Sequence, residues 1–143
     1  MVSLCDFGPT FLDVAGAKSE TQFAGESLLP LNAASYQLPA PGSTWRSALF
    51  FQSNGNETYG IQRSVVTDQW RFVYNGYDYD ELYDLENDPH QIKNLAADPA
   101  FEEVKKEMYT RIWKFGFDHG EHLVNDYIMT ALADYGQGLA LED

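Results

Sequence analysis

A single cysteine, Cys5, stands in the 143 residues, which excludes an intrachain disulfide framework and any cysteine-rich zinc site. Long apolar runs are missing as well: no stretch approaches the roughly 20 residues of a membrane span. The N-terminus, Met1-Val2-Ser3-Leu4-Cys5-Asp6, has no positive start and no extended apolar segment, so it does not read as a signal peptide, and any export address is expected upstream. Positive charge is scarce, with nine Lys and Arg against 22 Asp and Glu and a formal net charge of -13. Such a chain repels phosphate backbones and anionic lipid, so neither nucleic acid nor a membrane surface is an expected partner. Common catalytic loops are also absent. No P-loop or glycine-rich dinucleotide loop follows an expected strand. Gly25-Glu26-Ser27 begins like a nucleophile elbow, but Leu29 stands where the second glycine is required.

What the chain does contain points to a folded domain. Hydrophobic residues make up 44% and aromatics 15%, too rich for a disordered tail and enough for a core of its own. From Ser3 to Ala15 an amphipathic helix is expected, with Leu4, Phe7, Phe11, Leu12 and Ala15 on one apolar face. Pro9 suits its first turn and Gly16 the position just past its end. A helix so short needs a surface to pack on, and Phe7, Phe11 and Leu12 are expected to be poorly buried within this chain. Lys18 to Ser43 is punctuated by Pro30, Pro39, Pro41 and Gly42 and reads as a connecting loop with one helical turn around Ser27 to Leu31. Loops of that length mark a boundary between structural layers, which places one region at 1–43 and a second at 44–143.

The second region is rich in strand signals. Trp45 to Phe51, Ile61 to Thr67, Trp70 to Tyr74 and Glu81 to Leu85 are the candidates, the last a short edge strand. The short links Thr67-Asp68-Gln69 and Asn75-Gly76-Tyr77 predict an antiparallel meander. Asp98-Pro99 then opens the clearest helix, with Asp98 as N-cap and Pro99 at the first position. Phe101, Val104, Met108 and Ile112, widened by Tyr109 and Trp113, form its apolar stripe, and Glu102, Glu103, Lys105, Lys106 and Glu107 cover the opposite face. It is expected to lie over the sheet. A further helix is predicted from about Glu121 to Tyr135, ending at Gly136. The fold class is α+β.

Three clusters carry residue types with chemistry. Asp118-His119-Gly120-Glu121-His122 gathers two imidazoles and two carboxylates, but Gly120 divides them, so exposed capping residues are expected rather than a metal site. Asp78 to Asp88 holds many carboxylates without the glycine and glutamate spacing of an EF-hand, so a solvated acidic turn is expected. Arg46, Arg63 and Arg71 are spread over the strand region and are expected to pair with local carboxylates. No complete catalytic constellation and no metal site is predicted.

Four ordered segments carry a resemblance. Val2-Ser3-Leu4-Cys5-Asp6-Phe7-Gly8-Pro9-Thr10-Phe11-Leu12-Asp13-Val14-Ala15-Gly16, Gly25-Glu26-Ser27-Leu28-Leu29-Pro30-Leu31, Arg63 with Trp70-Arg71-Phe72-Val73-Tyr74, and Glu81-Leu82-Tyr83-Asp84-Leu85-Glu86-Asn87-Asp88-Pro89 with Asn94-Leu95-Ala96 together resemble the C-terminal part of type I sulfatases, in the alkaline phosphatase superfamily. The resemblance implies a four-stranded antiparallel sheet with a helix packed on it, preceded by a helix belonging to a large α/β domain outside this chain. It also implies a parent enzyme using Ca²⁺ and a formylglycine made from a C/S-x-P/A-S-R motif. Cys5 is followed by Asp6-Phe7-Gly8 and is not that residue, so the chain alone is expected to be inactive and to need the N-terminal catalytic domain as its partner. Asp118-His119-Gly120 mimics the family's metal motif in the wrong place, and its role is not carried over. A sulfated small molecule or glycan is the expected substrate of the parent. The turn Ser53-Asn54-Gly55-Asn56-Glu57 with Gln62 and Arg63 is the candidate cleft wall, with Asn54, Asn56, Glu57, Gln62 and Arg63 as substrate-binding candidates. An ion-pair role for Arg63 is the competing reading. The exposed first helix further suggests self-association. Two other functions stay open: the tail of a phosphodiesterase or phosphonate hydrolase of the same superfamily, and a stand-alone non-catalytic binding module.

Overall fold

The computed structural model describes residues 1–32, 45–54, 61–76, 78–121, 135, 136 and 138, and the chain divides into two compact units, Met1–Leu49 and Phe50–Asp143.

In the first unit the chain enters its helix through a capping box. Ser3 Oγ accepts from the Cys5 amide at 3.3 Å, and Asp6 Oδ2 accepts from the Ser3 amide at 2.6 Å. A 3₁₀ turn, Leu4–Asp6, leads into α1, Phe7–Ala15, so the single helix expected from Ser3 is a tighter turn followed by an α-helix. Gly16 closes it in the left-handed region, at φ 63°, which a side chain would resist. The apolar face of α1 is open, with Phe7 46% and Phe11 67% exposed, while Leu12 is half-buried. The loop after α1 instead packs against its polar edge. Thr10 Oγ1 accepts from the Leu28 amide at 2.9 Å and donates to the Asp6 carbonyl. A second 3₁₀ turn, Leu29–Asn32, ends this stretch.

Trp45 and Arg46 do not extend the first strand as expected. Trp45 Nε1 donates to the Met1 carbonyl and Arg46 Nη2 to Asp6 Oδ1, both at 2.5 Å, which diverts them from sheet pairing. β1 therefore starts at Ala48 and runs Ala48–Ser53; β2 is Gln62–Thr67, β3 Trp70–Asn75 and β4 Glu81–Asp84. They form one sheet in the order β1-β2-β3-β4. β2 and β3 are antiparallel, as are β3 and β4, and the register stacks Val65 opposite Phe72 and Phe72 opposite Leu82. All three of these side chains are fully buried. They form a row across three strands because alternate residues share a face.

Asp98 caps the helical segment that follows the sheet through the Ala100 amide at 3.0 Å, with Pro99 following it. A 3₁₀ turn, Pro99–Phe101, continues into α2, Glu102–Asp118. Its stripe Met108, Tyr109, Ile112 and Trp113 is buried and packs on the sheet, with Tyr109 4.8 Å from Phe72 and Trp113 5.1 Å from Tyr74 between ring centroids. Pairs such as Arg111 with Glu107 lie along its wet side. The helix expected from Glu121 to Tyr135 falls on 122–134, outside the described residues. Tyr135 itself lies against α2: its ring is 5.2 Å from that of Tyr109, and its carbonyl accepts from Trp113 Nε1 at 3.0 Å.

Candidate functional site

The family-like segments resolve into packing and backbone capture. Asp6, with no solvent exposure, is the hub of the first. Its carboxylate takes the Ser3 and Glu26 amides and the Arg46 guanidinium. Burial alone would raise its pKa, but these three donors outweigh it and hold the carboxyl below the ordinary value of 3.8. Gly25 is needed because a Cβ there would sit 2.2 Å from the Cys5 carbonyl oxygen. Thus the two segments around Asp6 and Gly25 are one backbone-clamping device.

The last segment guards a sheet edge. Asn94 Oδ1 accepts from the Leu82 amide at 3.0 Å and from Ala96, while its Nδ2 donates to the Asp80 carbonyl at 2.9 Å. The Leu95 amide then donates to the Leu82 carbonyl at 2.8 Å. These bonds occupy groups that an edge strand would otherwise offer to another chain. The acidic run beside it is consumed locally. Asp84 accepts from the Asn87 side chain and amide and from the Glu86 amide, and Asp88 from the Lys93 amide. The donors at Asn87 hold Asp84 low, and those at Lys93 and Ile92 hold Asp88 low. Asp80 takes the Asn75 amide and the Tyr109 hydroxyl; burial first, then Asp80, pushes the Tyr109 phenol far above its usual range.

Of the substrate-binding candidates, Asn56 and Glu57 lie outside the described residues. Asn54 is exposed and accepts from Gln52 Nε2 at 2.7 Å. Gln62 and Arg63 are neighbours in β2 and leave the sheet on opposite faces. Gln62 Nε2 donates to the buried Asn75 at 2.7 Å. Arg63 turns to the α2 face, where it is 7% exposed. There it pairs with Glu121, donates to Gln52 Oε1 at 3.2 Å and lies 5.1 Å from the Trp113 ring centre. Gln52 of β1, which joins Asn54 to Arg63, is absent from the residues expected from the sequence, although its place two residues before Asn54 was a signal.

Each of the three arginines has its own partner: Arg46 serves Asp6, Arg63 serves Glu121, and Arg71 donates to the Gln91 side chain. Among the described residues no group of three His, Cys, Asp or Glu side chains is arranged to hold a metal ion. His119 rests on its own helix, its Nδ1 2.8 Å from the Phe115 carbonyl oxygen, and His122 lies outside the described residues.

A family model described as N-sulphoglucosamine sulphohydrolase, C-terminal, matches residues 1–117. The chain belongs to this sulfatase C-terminal family. The N-acetylglucosamine-6-O-sulfatase of Bacteroides thetaiotaomicron is 30% identical over 112 residues, covering 72% of this chain and 19% of that enzyme. An uncharacterized protein of Haemophilus influenzae is 32% identical over 108 residues, covering 76% of this chain and 53% of that one. The chain thus spans about half of one curated relative and about a fifth of the other. Among solved structures, a protein in complex with its substrate D-glucosamine-2-N,6-O-disulfate superposes with a TM-score of 0.68 at 24% identity, over 82% of this chain and 24% of that one. The phosphonate monoester hydrolase of Agrobacterium radiobacter does so with a TM-score of 0.62 at 19% identity, over 80% of this chain and 24% of that one. Both show a shared fold.

Proposed function

We propose that this sulfatase C-terminal domain is the non-catalytic support of a sulfate-ester hydrolase whose nucleophile and metal ligands lie outside the chain. The observation that carries the reading is the family match across residues 1–117 in a sequence with no C/S-x-P/A-S-R motif. Cys5 lacks the motif that follows a modified cysteine, and among the described residues no group of three ligands is arranged for a metal ion. The formylglycine and the Ca²⁺ ion are assigned to the parent enzyme, and no chemical step is routed through this domain.

The partner is the catalytic α/β domain, and the open apolar face of α1 is the surface offered to it. Leu4, Phe7, Phe11 and Val14 are exposed there, whereas the helix's polar edge is already satisfied within the unit. Apolar side chains facing water on the one face, with hydrogen bonds completed on the other, suit burial against a second body. Without that body the same face supports self-association. Asn54, Asn56, Glu57 and Arg63 are proposed as the wall of the cleft for a sulfated small molecule or glycan; Gln62, on the opposite face of β2 and bonded to Asn75, is left out of it. Asn54 and Asn56 supply neutral amides for sugar hydroxyls, and Arg63 acts by fixing Gln52 and hence Asn54.

The test is to read the genomic frame upstream of the Met1 codon and to assay an aryl sulfate with the chain alone and with the joined product. A C-x-P-S-R or S-x-P-S-R motif in frame, turnover by the joined product and none by the chain alone are expected. A stop codon immediately upstream would overturn the reading in favour of a stand-alone binding module. The phosphonate hydrolase structure, similar over 80% of this chain, favours one further reading, a phosphoryl-transfer parent. Turnover of p-nitrophenyl phenylphosphonate, a phosphonate monoester, but not of the aryl sulfate would establish it.

A further inference from the structure

On the α2 face of the sheet, where β1 and β2 meet the end of the helix, lies a cavity of about 210 Å³ lined by Phe50, Gln52, Arg63, Ile112, Phe115 and Glu121, among others. Its walls are aromatic, the Phe50 and Phe115 rings stacking with centroids 4.1 Å apart. Its charge is Arg63, whose side chain is 8% exposed, against 25% for Glu121. A buried guanidinium demands an anion. Here a carboxylate supplies it from just beyond α2, behind Gly120 at φ 70°. Arg63 uses Nη2 on Glu121 and Nε on Gln52, and its Nη1 has no acceptor among the described residues. The planar fork can therefore take a second carboxylate oxygen. An apolar cavity of about 150 Å³ is enough for a benzene ring, so this one has room for a ring and a small head group.

We propose that this cavity binds a small aromatic carboxylate, and that Glu121 is the internal carboxylate the ligand displaces from Arg63. The ring lies along Phe115 and Ile112, and the head group takes the guanidinium. Glu121 is free to turn outward because it is the more exposed member of the pair and follows a glycine. The net charge of -13 opposes any anion at long range, so the ring must supply part of the affinity. Acetate, which has the head group alone, is expected to bind far more weakly. The site is separate from the residues proposed for a sulfated substrate, save for Arg63.

The test is a titration of the 143-residue chain with benzoate, followed through backbone amide shifts, with acetate and benzyl alcohol as controls. Shifts centred on Ser64, Ile112, Phe115 and Gly116 are expected. Glu121→Gln removes the competing charge and is expected to tighten benzoate binding by roughly tenfold while leaving benzyl alcohol unchanged. Phe115→Ala, on a half-exposed ring, is expected to weaken it. Benzoate affinity that is unchanged or weaker in Glu121→Gln would overturn the proposal. So would benzyl alcohol binding as well as benzoate, or shifts centred elsewhere.

Discussion

A carboxylate with no solvent exposure survives only when its oxygens are occupied, and Asp6 meets that condition with two amides and a guanidinium. Removing it leaves Arg46 and two backbone donors without a partner in the first unit. Asp6→Ala is therefore expected to cost roughly 3 kcal/mol, measured by urea unfolding with amide exchange following the first unit. The pH dependence has a definite sign. Asp6 is held below 3.8 in the folded chain, so its contribution is present above pH 3.8 and fades as pH falls further, the folded state gaining its proton last. Acid titration is expected to loosen the first unit below that pH, and the Asp6→Ala variant is expected to show a smaller acid-induced change. Equal acid sensitivity in both proteins would place the effect on other carboxylates. Arg63 illustrates the opposite use of a charge. It is held by Gln52, Glu121 and the Trp113 ring on one side of the sheet, so its first role is to join β1, β2 and the end of α2.

At the scale of elements, α2 is fixed by an aromatic layer. Trp113 is 3% exposed, rests on Tyr74 and receives Arg63 on its face. Trp113→Ala is expected to cost about 3–5 kcal/mol, read from chemical unfolding; a loss near 1 kcal/mol would mean that the ring contributes little to the packing of the helix. Asn94 is the corresponding element-level residue for the sheet edge. Its side chain imitates a strand partner for Leu82 and holds Asp80 and Ala96 at the same time. Asn94→Ala is expected to cost about 1–3 kcal/mol and to raise exchange at the Leu82 amide before the Val65 and Phe72 amides. Uniform acceleration across the sheet would show that the edge is not a separate unit of opening. Conserving the volume with Asn94→Leu is expected to give no rescue, because the lost groups are hydrogen-bond partners.

For the whole molecule, the dominant facts are a net charge of -13 and an apolar helix face left open. These are expected to act against one another: like charges keep copies apart, and an exposed apolar face favours their contact. Salt screens the first and leaves the second, so the apparent mass on sedimentation is expected to rise between low ionic strength and about 0.15 M salt, where the screening length falls to about 8 Å. Phe11→Glu is expected to remove that rise, since Phe11 is 67% exposed and central to the face. A strict monomer at every salt concentration would count against the open face as a docking surface.

The antiparallel sheet and its covering helix were legible in the residues, because β-branched and aromatic runs bounded by turns, and a stripe at helical spacing behind Asp98-Pro99, each admit one reading. The family was legible too, through four short segments in order. Local pattern alone could not show what those segments do, since a hydrogen bond between Asp6 and Glu26 or between Asn94 and Leu82 joins positions 20 and 12 residues apart. Nor could it separate Gln62 from Arg63, which share a candidate site on paper. The pleat sends successive side chains to opposite faces, and only packing against α2 determines which face becomes the interior. The partnership of Arg63 with Glu121 spans 58 residues and depends on where α2 ends relative to β2. Composition and spacing therefore determined the elements, and the resemblance of four ordered segments the family, while tertiary structure decided which polar residues meet, because that depends on long-range geometry.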